Sequence, residues 1–140
     1  MAEGSFRVYQ SFQEGANYSD VFSSTLAMGL VKSSYVPATS HSAWSQVVAD
    51  AASASATFID HVMSGVDWTV SGSVTQLVMD NHNFTAGTGD LTAQYAVLFQ
   101  ESTGRLIAIA ELSTADVVAN QINLTLGTVL RLRDSSGMYT

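Results

Sequence analysis

The chain has no cysteine, one proline and one lysine, and its charged residues are five basic and twelve acidic. Each shortage excludes something. Without cysteine there is no disulfide framework, no thiol nucleophile and no cysteine-ligated zinc or iron–sulfur site. A formal charge of −7 leaves no basic face of the kind nucleic-acid binding needs, so no nucleic-acid partner is expected. Charged residues make up 12%, about half the usual ~25% for soluble domains. The longest apolar run, Leu106 to Ala110, falls far short of the ~20 residues that span a bilayer, and no membrane partner is expected. Met1 to Arg7 lacks the basic and apolar regions of a secretory signal, which points to synthesis in a cytoplasm. Sequons begin at Asn17, Asn83 and Asn123, but without such a signal they do not read as glycan acceptors.

What is present is apolar and hydroxylic. Hydrophobic residues make up 46% of the 140 positions, too many for a disordered chain, and serine and threonine together supply 32. The length allows one domain. Val66, Trp68 and Val70 alternate with polar neighbours, as do Ile122, Leu124 and Leu126, the period-2 pattern of half-buried strands. Leu91, Ala93, Tyr95, Val97 and Phe99 read as one apolar face of a single strand. Arg105 to Leu112 is apolar on both faces, as a strand covered on both sides would be. Between these two runs, Glu101-Ser102-Thr103-Gly104 places a glycine where a hairpin loop wants positive φ. Further strands are predicted at Thr25 to Val31, Ala54 to Ile59 and Ser73 to Met79. A last one puts Leu130 and Leu132 on one side and Arg131 and Arg133 on a solvated or partner-facing side.

One segment has helical spacing. Trp44, Val47, Val48 and Ala51 fall at i, i+3, i+4 and i+7, with Ser42 placed to cap, predicting a short helix near residues 42–51. Asp80 to Asp90 reads as a long loop. Seven to nine short strands and one short helix predict an all-β fold, an antiparallel β-sandwich. Strand pattern alone leaves jelly roll, immunoglobulin-like and small-barrel forms open. The boundaries expected are an N-terminal extension over residues 1–20, one sandwich domain over 21–134 and a polar tail over 135–140.

No catalytic constellation stands out. Asp60-His61 and Asp80-Asn81-His82 pair carboxylates with imidazoles, and His41 precedes the short helix, but a metal site needs three or four convergent ligands. Phe84 spoils the Asp80 loop as a calcium loop, since its position must supply an oxygen. There is no Gly-x-Ser-x-Gly elbow, and Gly87-Thr88-Gly89-Asp90 lacks the Lys-Ser/Thr pair of a phosphate loop. No catalytic, cofactor-binding or metal residues are expected. Trp68, Tyr95 and Phe99 read as core. Phe6, Val8, Tyr9 and Phe12 stand apart in a polar, glycine-punctuated stretch. They read either as cover for a sandwich edge or as a candidate interface, an arm docking on a neighbouring chain.

Leu91-Thr92-Ala93-Gln94-Tyr95-Ala96-Val97-Leu98-Phe99, followed by Ser102-Thr103-Gly104-Arg105-Leu106-Ile107-Ala108, resembles a pair of strands in small structural proteins of tailed bacteriophages. Ser24 to Pro37, with its Tyr35-Val36-Pro37 loop, is similar to the early strand and loop of the same group, and so are His41 to Val47 and Ile122 to Leu132. The chain departs from the group at Ala27, where lysine is common. Within the group, the chain resembles head cement, or decoration, proteins with a jelly-roll fold. The resemblance implies a virion protein on the outer capsid surface, made in the host bacterial cytoplasm, that binds the major capsid protein. It implies no enzyme activity, cofactor or metal. Self-association is expected, with a homodimer favoured over a trimer. A tail- or fibre-associated virion protein and a non-viral carbohydrate-binding β-sandwich module are the alternatives.

Overall fold

The computed structural model of the chain describes residues 6–9, 12, 24–38, 40–47, 61–71, 74–85, 89–113, 117–133 and 137–139. Among them run thirteen short strands: β1 (Phe6–Val8), β2 (Leu26–Val31), β3 (His61–Val62), β4 (Asp67–Ser71), β5 (Val74–Met79), β6 (His82–Thr85) and β7 (Leu91–Ala93), then β8 (Tyr95–Gln100), β9 (Leu106–Glu111), β10 (Val117–Ala119), β11 (Gln121–Leu124), β12 (Gly127–Arg133) and β13 (Gly137–Tyr139). They form a five-stranded sheet in the order β1-β9-β8-β2-β3 and a four-stranded sheet in the order β13-β12-β5-β4. Two ribbons, β10-β7 and β11-β6, complete the set. Every pairing is antiparallel. The all-β antiparallel sandwich predicted from the strand pattern is the observed fold class.

The main core lies between the sheets. Leu26, Met28 and Leu30 of β2, Ala96 and Leu98 of β8, and Ile107, Ala108 and Ala110 of β9 meet Leu77, Met79 and Val129 of the four-stranded sheet. Phe84, Leu91, Ala93, Ile122 and Leu124 of the ribbons close the same cluster. Each buried side chain of this size contributes about 1.5–3 kcal/mol. A second cluster covers the opposite face of the five-stranded sheet: Ala27 and Val31, Val97 and Phe99, and Leu106 pack with Tyr9, Tyr35 and Val47. Hence all six residues of β2 are buried, and the two-sided apolar pattern expected of Arg105 to Leu112 is realised in β9. The register between β8 and β9 slips between Leu98 and Phe99. Ile107 is the extra residue at this bulge, and it faces the main core together with Ala108.

The face drawn from Leu91 to Phe99 is not one face. The chain bends at Gln94, whose N–H donates to the Val31 carbonyl at 2.8 Å and whose carbonyl accepts from Leu112 N–H at 2.7 Å. Leu91 and Ala93 point into the main core, whereas Val97 and Phe99 point into the outer cluster. One apolar alternation thus serves two sheets, because the strand changes partners at a corner.

The hairpin after β8 is as expected. Gly104 has φ +73, and its N–H donates to the Gln100 carbonyl at 2.8 Å. Buried Gln100 is satisfied by donating to Ser24 Oγ at 2.6 Å and accepting from Thr103 Oγ1 at 2.9 Å. The described part of the helix expected near residues 42–51 is a 3-10 turn over Trp44–Gln46; residues 48–51 lie outside the described residues. Ser42 does not cap it. Instead the Gln46 side-chain carbonyl accepts from the N–H groups of Ser42 at 2.7 Å and Ala43 at 3.0 Å. With three residues per turn, Trp44 and Val47 share one side and cover the outer sheet face, Trp44 stacking on Phe99 at 4.4 Å and 8°. The expected Asp80 to Asp90 loop contains β6. The strand expected at Ala54 to Ile59 lies outside the described residues, as do the side chains of Arg131 and Arg133.

The expected boundaries also shift. β1 is the edge of the five-stranded sheet, with Phe6 opposite Ala110 and Val8 opposite Ala108. β13 pairs with β12 from Arg131↔Tyr139 to Arg133↔Gly137. Both termini therefore supply strands to the sandwich.

Between β3 and β4, Gly65 has φ +65 and sits against the Asp80 carboxylate, which a Cβ would overlap. Asp80 N–H donates to the Ser64 carbonyl at 3.1 Å and holds the turn closed. Because exposed Asp80 can swing aside, the left-handed backbone sets the cost. Gly65→Ala is expected to lose about 1–2 kcal/mol, read as an earlier midpoint in urea unfolding.

Candidate functional site

The three histidines are dispersed. His61 lies on β3 opposite Met28. His82 lies on β6 opposite Leu124, with its ring edge-on to Phe84 at 4.7 Å, and burial lowers its pKa. His41 lies over the outer face of the five-stranded sheet. Among the described residues no three His, Asp or Glu side chains are grouped to hold a metal ion. Asp80 accepts from Ser64 Oγ at 3.4 Å, and Asn81 Oδ1 accepts from Leu126 N–H at 2.8 Å. These groups fasten loops to one another. Of the glycine pair at 87 and 89, Gly89 offers its carbonyl to Asn120 Nδ2 at 2.9 Å, and Gly87 lies outside the described residues.

The candidate interface residues fall largely inside the molecule. Phe6 is 2% exposed, Tyr9 5% and Phe12 0%, and half-buried Val8 packs against the main core. Tyr9 N–H continues the β1–β9 ladder to the Ile107 carbonyl at 2.9 Å. The Arg105 guanidinium sits 5.1 Å above the Phe12 ring, a cation–π contact. Of the two readings of this stretch, the geometry is that of the edge cover. The alternation of Phe6 and Val8 needs the core face of a strand, so these side chains are committed to this chain.

The outer cluster contains a polar chain that sequence spacing does not reveal. The Tyr9 and Tyr35 hydroxyls are 2.9 Å apart, and the Tyr35 hydroxyl is 2.9 Å from His41 Nδ1. The Tyr35 and His41 rings stack at 5.4 Å, and Tyr95 meets Tyr35 edge-on at 6.1 Å. A phenol has one proton to give. Where His41 Nδ1 accepts it from Tyr35, Tyr9 donates to Tyr35. Burial, reinforced by the bond to Tyr35, pushes the Tyr9 phenol well above its usual pKa. Since Tyr9 and Tyr35 are both buried, the chain serves to pin the 32–38 loop against β1. Residues 9, 35 and 41 carry no periodic signal, because the contact is made by folding a loop across a sheet.

A cleft of about 470 Å³ opens between the end of β9 and the consecutive strands β10 and β11. Leu112, Val117, Ile122 and Leu124 supply its apolar wall, and Glu111, Gln121 and Asn123 its polar groups. Among the described residues, β10 pairs only with β7 and β11 only with β6. Among the described residues, the large hydrophobic side chains most exposed are Val36 at 74%, Val118 at 61% and Val62 at 56%. The cleft joins Glu111 to strands that start six residues later, a proximity invisible to strand alternation. No protein family, curated protein or solved structure matches the chain.

Proposed function

We propose that this chain is a virion structural protein that binds the outside of a phage capsid and cements neighbouring major capsid protein subunits, with its sandwich in the jelly-roll form. One observation supports this above others. Three of the segments that resemble phage cement proteins are scattered in sequence but lie together in one sheet, while Leu91–Ala93 and Ile122 to Leu132 belong to the ribbons and the four-stranded sheet. Leu26–Val31, Tyr95–Gln100 and Leu106–Glu111 lie side by side as β2, β8 and β9. The Tyr35-Val36-Pro37 loop and the His41 to Val47 stretch fold over their outer face through Tyr35 and Val47.

The physics suits the role. A filled head pushes its shell outward, and a rigid domain lying across a seam adds interface on both sides. Interfaces of about 800 Å² per partner vary widely in strength, but many copies on a closed shell act together. The formal charge of −7 is repelled by packaged DNA and so favours the exterior.

The test is a denaturing gel of purified virions, with the 14.8 kDa band quantified against the major capsid protein. Near-equimolar amounts are expected. A handful of copies per particle would assign the chain to the tail instead, and its absence from virions would overturn both.

A further inference from the structure

At one end of the five-stranded sheet, the root of a loop carrying an exposed apolar knob lies two strands away from the edge of an apolar cleft. Val31, the last residue of β2, is opposite Tyr95, the first of β8, and Tyr95 is opposite Glu111, the last of β9. The loop carrying Val36 leaves from the first of these residues, and the cleft bounded by Leu112, Val117, Ile122 and Leu124 begins at the last. Val36 is 74% exposed, and Pro37 beside it is exposed too.

The knob is already ordered. Tyr35, 2% exposed, is bonded through its N–H to the Lys32 carbonyl at 3.1 Å and through its hydroxyl to Tyr9 and His41. Beyond it, His41 N–H donates to the Ala38 carbonyl at 3.1 Å. Pro37 restricts Val36 to extended backbone. Docking such a loop loses little conformational entropy. The charges are complementary. Lys32, the only lysine in the chain, stands at the foot of the knob, and exposed Glu111 is the one charged residue among the described residues that line the cleft. A knob and a cleft on the same end of one molecule meet the requirement of a two-fold contact, in which each surface is repeated on both copies.

We propose that two copies of this chain associate about a two-fold axis through this end of the sheet. Val36 of each copy enters the cleft of the other, and Lys32 faces the other's Glu111. The like net charges oppose association only weakly, because charges more than about 8–10 Å apart are screened at ordinary salt. This identifies the surface for the expected self-association and does not rest on capsid binding. A dimer formed by a chain absent from virions would sustain it while defeating the proposed function.

Sedimentation equilibrium of the full chain over a range of concentrations tests it. A monomer–dimer equilibrium is expected. Val36→Asp is expected to weaken it by at least about 30-fold, the loss typical of a central interface residue. Lys32→Glu should weaken it about 3-fold, and Lys32→Glu with Glu111→Lys should restore it. Val36 is exposed, so the melting temperature should hold; should Val36→Asp lower it, Val36→Ser replaces it with the same expected direction. A monomer at every concentration overturns the proposal. So does a dimer indifferent to Val36, or a double exchange that weakens association further.

Discussion

A chain that begins after residue 12 is expected not to fold. Phe6 and Phe12 are essentially sealed in the main core, and Tyr9 in the outer one. Emptying a buried phenylalanine site costs about 3–5 kcal/mol. Two such losses alone rival the whole net stability of a domain, about 5–15 kcal/mol. The truncation also strips β1 from β9 and leaves the ladder groups of Ala108 to Ala110 facing water on an apolar edge. Near-ultraviolet circular dichroism, which reports fixed aromatic packing, should lose its signal. Phe12→Ala in the full chain is the gentler version. It should keep the fold and lower the melting temperature by about 10–20 °C. A truncated chain that still melts cooperatively at the temperature of the full chain would show the segment to be a dispensable extension.

Tyr9→Phe is expected to change sign in its effect on stability as pH rises. At neutral pH the substitution removes one buried hydrogen bond, a loss of about 1 kcal/mol. In the intact chain, burial and then the bond to Tyr35 hold the folded-state pKa of Tyr9 above its ordinary value near 10. A raised folded-state pKa gives stability that is complete below the unfolded pKa and is lost as pH climbs towards the folded one. Above about pH 10 the unfolded chain releases a proton that the folded chain keeps. Stability then falls by about 1.4 kcal/mol per pH unit from this group. Phenylalanine has no proton to release, so the variant escapes that slope and should overtake the parent chain near pH 11. Urea unfolding at a series of alkaline pH values measures it. Parallel stability curves for the two chains would mean that Tyr9 ionises freely in the fold.

The parts of this fold legible in sequence are those governed by local alternation. β4, β9, β11 and the Gly104 hairpin each follow from a pattern within ten residues. The misreadings have one physical source, which is that alternation reports burial and not which surface does the burying. Leu91 to Phe99 alternates without interruption, yet the bend at Gln94 hands its halves to different sheets. Phe6, Tyr9 and Phe12 have the composition of a docking arm, and only their pairing partner about a hundred residues away makes them core. Helical spacing in Trp44 and Val47 was satisfied by a 3-10 turn, since two side chains at i and i+3 suffice to cover a sheet face. The Tyr9–Tyr35–His41 chain and the cleft arise between segments with no common pattern, so no window of sequence contains them.

The pairing of β1 with β9 also sets an order of events during synthesis. Phe6 has its ladder partner at Ala110, so β1 leaves the ribosome about a hundred residues before the strand it pairs with. At about 5–20 residues per second the wait is about 5–20 s, during which Phe6, Tyr9 and Phe12 have no site to occupy. β2 waits likewise for β8, and β5 for β12. The sandwich therefore cannot close piecemeal from its N-terminus; it closes when the C-terminal strands arrive. β1 with its apolar side chains is meanwhile a natural client for whatever shields nascent chains.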